Sequence, residues 1–161
     1  AAGGRDRRCH LHPRGRHVYV INEMGSSITT FFWDAARGAM QALQTVSTLP
    51  KDFQGDSTCA EVLVHPNGRF VYGSNRGHDS IAIFTVDRDK GSLTPAGHVS
   101  TQGAVPRNFG IDPTGSWLFA ANQNSGTVVV FRIDPASGGL TPAGQTLEVS
   151  TPVCVRFVPV R

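Results

Sequence analysis

Residues 65–85 read HPNGRFVYGSNRGHDSIAIFT. The pattern occurs twice more without a gap, as HPRGRHVYVINEMGSSITTFF over 12–32 and as DPTGSWLFAANQNSGTVVVFR over 112–132. Each copy runs turn, β-rich run, Asn, polar loop, β-rich run. The copies start 53 and 47 residues apart. Self-similarity at that period marks propeller blades or another stacked array.

Each copy translates into strands. Pro presets φ for an Asp/His-Pro-x-Gly turn and Gly relieves strain at its end. A short apolar run precedes the turn, and two runs rich in Val, Ile, Phe, Tyr and Thr follow it, a composition that suits strands. A second turn (DRDKGSLTPAG or DPASGGLTPAG) leads to a fourth strand ending near Val99 or Val149. Four antiparallel strands per repeat is one propeller blade. No window holds a 3.6-residue apolar period, and the 18 Gly and 10 Pro are spread throughout, so a helical reading fails. The expected fold is all-β, with blades over 7–50, 58–100 and 105–149 and a terminal strand over 152–158.

A closed propeller takes roughly four to eight blades. Three blades and one strand leave two outer faces without neighbours. The chain is therefore expected to be the C-terminal part of a longer protein and to self-associate through its exposed blade faces. A half-propeller that closes by pairing with a second copy is the alternative.

Composition narrows the partners. The net charge is +3, but the arginines cluster at the start (Arg5, Arg7, Arg8, Arg14, Arg16) and no basic stripe is interleaved with aromatics, which argues against nucleic acid. There is no transmembrane run, so no membrane association is expected. Cys9, Cys59 and Cys154 fall on or beside first strands without metal-ligand spacing. They read as buried thiols in a reducing, cytoplasmic setting. Neither a metal nor a cofactor is expected.

The repeats supply an internal control. Asn22, Asn75 and Asn122 recur at one position and read as structural, since an Asn at a strand end bonds nearby backbone. The next position differs: Glu23, Arg76, Gln123. A generic turn needs no carboxylate, guanidinium and amide at equivalent places. In an antiparallel hairpin, residues equally far from the turn face each other. That rule sets Arg7 opposite Asn22 and beside Glu23, Arg107 opposite Asn122 and beside Gln123, and Ala60 opposite Asn75 with Glu61 next to it. The channel mouth would then gather Arg7, Glu23, Glu61, Arg76, Arg107 and Gln123. Arginines bind carboxylate or phosphate through two parallel hydrogen bonds and stabilise a developing oxyanion; a carboxylate among them moves protons or forms an ion pair. Ordinary rim salt bridges are the competing reading. His12 and His65, where the third copy has Asp112, read as turn caps.

The segments RRCHLHPRGRHVYVINE, AEVLVHPNGRFVYGSNRGHDSIAIF and VPRNFGIDPTGSWLFAANQ resemble the seven-bladed propeller lactonase family, which includes the propeller-type 6-phosphogluconolactonases and the fungal carboxymuconate lactonizing enzyme. The resemblance covers nearly the whole chain from about Arg7. It implies a closed seven-bladed ring, no cofactor or metal, and a small anionic lactone as substrate. Glu23 matches the acidic residue of the family's NE motif and Arg76 the arginine of SNR. Arg7 matches the arginine before the His-Pro turn, although the family's PRH is here Asp6-Arg7-Arg8. Arg107 matches the family's PR-F arginine. These matches imply Glu23, Arg76 and Arg7 as catalytic, with Arg107, Gln123 and Glu61 binding substrate. The expected activity is lactone hydrolysis of the 6-phosphogluconolactonase type in the pentose phosphate route, with the fragment itself inactive. The alternatives are a muconate-lactone cycloisomerase and a non-catalytic propeller that binds ligand or protein through the same face.

Overall fold

The structure is a computed structural model that describes residues 8–158. It contains three four-stranded antiparallel sheets, each built from consecutive strands in meander order. Blade 1 comprises β1 (Cys9–Leu11), β2 (His17–Asn22), β3 (Ser27–Asp34) and β4 (Ala39–Ser47); blade 2 comprises β5 (Thr58–Val64), β6 (Phe70–Arg76), β7 (Ser80–Val86) and β8 (Leu93–Ser100). Blade 3 comprises β9 (Pro106–Ile111), β10 (Trp117–Asn122), β11 (Thr127–Ile133) and β12 (Leu140–Glu148). The one helical element among the described residues is a short 3-10 turn at Glu23–Gly25.

Blades pack face to face because both faces of a middle blade are apolar. β6 is buried from Phe70 to Asn75, and β7 from Ser80 to Phe84. Tyr19, Ile21 and Ile28 of blade 1 meet Cys59, Val62, Val71 and Phe84 of blade 2 in one core. Phe70, Tyr72 and Ile83 meet Phe109, Leu118 and Phe131 of blade 3 in a second.

Directed bonds hold these two interfaces in register. His12 Nδ1 accepts from the Arg14 N–H at 3.1 Å, so its proton is on Nε2, which donates to the Gly68 carbonyl of the next blade at 2.9 Å. His65 repeats the arrangement onto Gly115 at 2.8 Å. The Tyr19 and Tyr72 hydroxyls donate to the Gly91 and Gly138 carbonyls at 3.0 and 2.9 Å. Both glycines have positive φ, and a Cβ there would come within 2.3 Å of the His17 ring or 2.6 Å of the Phe70 ring. Only glycine lets the turn approach so closely. In the third repeat Asp112 caps its own turn and Phe119 replaces the tyrosine, packing on Phe157 at 5.2 Å between ring centroids.

The Asn triplet is structural. The Asn75 amide donates to the Thr48 carbonyl at 2.7 Å and to Ser80 Oγ at 3.2 Å, and the Asn122 amide to the Thr101 carbonyl at 3.0 Å. Each ties the second strand of its blade to the chain leaving the preceding blade. Asn75→Ala should therefore cost about 1–3 kcal/mol, because it removes two buried hydrogen bonds, to the Thr48 carbonyl and to Ser80 Oγ. Urea denaturation measures this, and an unchanged midpoint refutes it.

Two expectations need correction. Residues 152–158 form no strand. The segment lies along β9, with the Val155 N–H on Asn108 Oδ1 at 2.7 Å and Phe157 on Phe119, and no described strand offers it a ladder. Of the cysteines, Cys59 is buried, but Cys9 and Cys154 are exposed. Cys9 and Leu11 alternate with His10, which meets blade 2 through the Val64 N–H at 3.0 Å, so they lie on the uncovered face of blade 1.

Candidate active site

The equal-distance rule fails in two hairpins, for one reason. In blade 2 Asn75 pairs with Cys59, not Ala60, and in blade 3 Asn122 pairs with Pro106, not Arg107. Each first strand carries a β-bulge near its start. A bulge adds one unpaired residue and re-aims its side chain. Arg107 is that extra residue in blade 3: Asn108 on one side of it pairs with Ala121, and Pro106 on the other pairs with Asn122.

At the end of β2 and β6 the structure brings Glu23 and Arg76 together as an ion pair across the blade 1–blade 2 boundary. Both side chains are largely buried, at 20% and 15% exposure. Arg76 also donates to the Cys59 carbonyl at 3.3 Å, while its buried Nε has no partner among the described residues. The Cys59 thiol sits against the Asn22 carbonyl at 3.0 Å, and burial pushes it up to about 11. It therefore stays a thiol at neutral pH and is no nucleophile.

Glu61 goes elsewhere than to an open channel mouth. Its carboxylate is 4% exposed and accepts from Arg8 of blade 1 and the Asn108 amide of blade 3. The Val155 N–H in turn donates to Asn108. This belt of Arg8, Glu61, Asn108 and Val155 runs from one first strand to the next. The sequence reading missed Arg8 and Asn108. The signal was available, since Arg8, Glu61 and Asn108 each stand four residues before the Pro-x-Gly turn residue. Gln123 and Arg107 are half-buried, and the Gln123 N–H bonds the Val105 carbonyl at 2.9 Å. The Arg107 guanidinium has no ion-pair partner among the described residues. Arg7 lies outside the described residues.

The histidines nearby add packing more than chemistry. His98 bonds the Thr48 carbonyl at 2.9 Å and stands 5.7 Å from His78 between ring centroids. Burial, and then the proximity of His98, hold His78 below its ordinary value. Among the described residues no group of three or more His, Cys, Asp or Glu is placed to hold a metal ion. No helix there is long and apolar enough to cross a membrane.

Meander sheets packed face to face with their first strands lined up along one edge are blades of a β-propeller. Comparison with known proteins gives the family. The model described as "Lactonase, 7-bladed beta-propeller" matches residues 1–157, and the chain belongs to that family. It is 39% identical over 158 residues to a 6-phosphogluconolactonase of Bacillus subtilis, covering 98% of this chain and 45% of that relative. Among solved structures it is similar to a putative 6-phosphogluconolactonase of Bacteroides fragilis (35% identity, TM-score 0.88), with 99% of this chain and 44% of that one covered. It is also similar to a periplasmic gluconolactonase of Pseudomonas aeruginosa (33% identity, TM-score 0.90), with 98% and 44% covered. The chain thus spans less than half the length of these relatives.

Proposed function

We propose that a complete propeller carrying these blades hydrolyses a sugar-acid lactone, with 6-phosphogluconolactone as the substrate. The observation that carries this reading is the Glu23–Arg76 pair across the blade boundary, with both side chains still reaching the surface at 20% and 15% exposure. A partly buried guanidinium beside a carboxylate suits a developing oxyanion. Water attacks the lactone carbonyl carbon and its proton passes toward Glu23. The oxyanion of the tetrahedral intermediate is held by Arg76. The ring C–O bond then breaks, the ring oxygen leaves as a hydroxyl with the proton that Glu23 took up, and the carboxyl group so formed releases water's second proton to solvent to become the carboxylate of the sugar acid. Arg107, re-aimed by its bulge, would hold the phosphate, with Gln123 beside it. Arg7 enters through the hairpin count and the family resemblance. Glu61, buried and bonded on both sides, orders the strands that carry Arg107 and Arg8 rather than touching substrate.

The test is an assay of a full-length propeller containing these blades on 6-phosphogluconolactone and on a muconate lactone. Hydrolysis of the first supports the reading. Isomerisation of the second assigns the cycloisomerase activity, and inactivity on both leaves a binding propeller.

The isolated 161-residue chain is proposed to self-associate. Blade 1 exposes Phe32, Met40 and Leu43, and blade 3 exposes Trp117 and Leu147. Large apolar side chains on unpaired sheet faces seek cover. Sedimentation velocity reads this directly, and a clean monomer overturns it. A cytoplasmic location is proposed from the unpaired thiols of Cys9 and Cys154; recovery in a periplasmic fraction would contradict it.

A further inference from the structure

Blade 1 departs from its sister blades at the opposite end of its strands. His17, Phe70 and Trp117 share one repeat position, at the start of the strand after the Pro-x-Gly turn. His17 is 6% exposed. The β7–β8 turn lies directly on its ring at Gly91. Phe32 and His12 meet it edge-on, with ring centroids 6.2 and 6.4 Å away. Neither ring nitrogen bonds a described residue, and His12 and Arg16 are basic neighbours. Burial first, and then those two neighbours, hold it below its ordinary value, so it is neutral at pH 7 with one N–H to give. The ring lines a crevice of about 430 Å³ shared with Arg14, Arg16, Arg88 and Asp89.

The blade 2–blade 3 boundary serves as a control. There Asn67 stands for Arg14, Pro135 for Arg88 and Ala136 for Asp89. Arg69, the counterpart of Arg16, is already engaged. It donates to the Pro135 and Ala136 carbonyls at 3.3 and 3.2 Å, and its guanidinium lies 5.3 Å from the centre of the Phe70 ring. Arg16 makes no such bond, and neither it, Arg14 nor Arg88 has an ion-pair partner among the described residues. The blade 2–blade 3 boundary has a crevice of equal volume beside Asn67 and Pro135, but only at the blade 1–blade 2 boundary do three guanidiniums without ion-pair partners, one carboxylate and a buried unpartnered imidazole line it.

We propose that this crevice binds a small phosphate-type dianion, at a site distinct from the channel end. Arg16 and Arg88 line the crevice from the two blades and would close on the anion's oxygens in forked pairs, with Arg14 completing the charge. His17 supplies one N–H from the floor. The three guanidiniums outweigh Asp89, and the anion relieves their mutual repulsion. His17 opens β2 and Asn22 ends it, so this site and the Glu23 site are separated by about 17 Å of strand.

The test is a titration of the full chain with inorganic phosphate at constant ionic strength, followed by the His17 ring signals in NMR, with chloride as the reference. Phosphate should give a saturable shift that chloride does not. Arg88→Ala and Arg14→Asn, which install residue types close to those the other blades carry, should each weaken binding by about fivefold or more. His17→Phe, the blade 2 residue, should fold normally and weaken binding read at the backbone amides of 87–91. Arg69→Gln should change nothing. A shift that rises linearly, as with chloride, or an equal loss in Arg69→Gln overturns the proposal.

Discussion

In a full-length propeller carrying these blades, Glu23→Gln is expected to lower lactone turnover by about 10²–10⁴-fold, the usual range for loss of a general acid–base group. The melting temperature should shift by no more than about a few degrees. The asymmetry follows from the site. Gln keeps the shape of Glu23 and an oxygen that accepts from Arg76, so the blade boundary keeps its bond. What disappears is the charge that attracts a proton from attacking water. Steady-state kinetics with a parallel melt separates the two effects. Near-full turnover at an unchanged melting temperature would mean that the pair is a rim salt bridge and that Glu23 has no catalytic role.

Glu61→Leu should show the reverse pattern, a large loss of stability. The carboxylate is 4% exposed and satisfies both Arg8 and Asn108. Removing one member of a buried charged network typically costs about 3–5 kcal/mol. Arg8 is 40% exposed and can turn to water, so a value near the low end, about 3 kcal/mol, is expected. Arg8→Ala added to Glu61→Leu should then cost little more, because the interaction is already gone. Chemical denaturation of the same full-length protein gives both numbers. A single-variant loss under about 1 kcal/mol would show that the belt contributes no more than a surface pair.

What the sequence made legible was whatever the repeats share or visibly break. The Pro-x-Gly turns, the Asn triplet and the apolar alternation specify three meander sheets, and the structure has them. The contrast among Glu23, Arg76 and Gln123 pointed to the end of the second strands, where the Glu23–Arg76 pair forms. Register was not legible near the channel. Counting outward from a turn assumes an unbroken ladder, and a bulge adds a residue without altering composition. That is why Arg107 and Ala60 were each set one place off. Glu61 was legible as unusual but not as buried, since its burial depends on Arg8 and Asn108 arriving from two other sheets. His17, which shows no metal-ligand spacing, was illegible for a plainer reason. It sits among apolar strand residues, and only its alignment with Phe70 and Trp117 sets it apart.

The two cross-boundary ion pairs are mirror images in charge. Blade 1 offers Arg8 and Glu23, and blade 2 answers with Glu61 and Arg76 at the same two repeat positions, while blade 3 has the neutral Asn108 and Gln123. Modules copied from one template would otherwise be interchangeable neighbours, free to stack in any sequence or against a twin. Two copies of blade 1 set side by side would confront arginine with arginine and glutamate with glutamate. Two copies of blade 2 would do the same with the signs reversed. The polar pattern along the blade boundaries therefore works as an address, giving each module a defined place beside its neighbour while the hydrophobic faces stay alike.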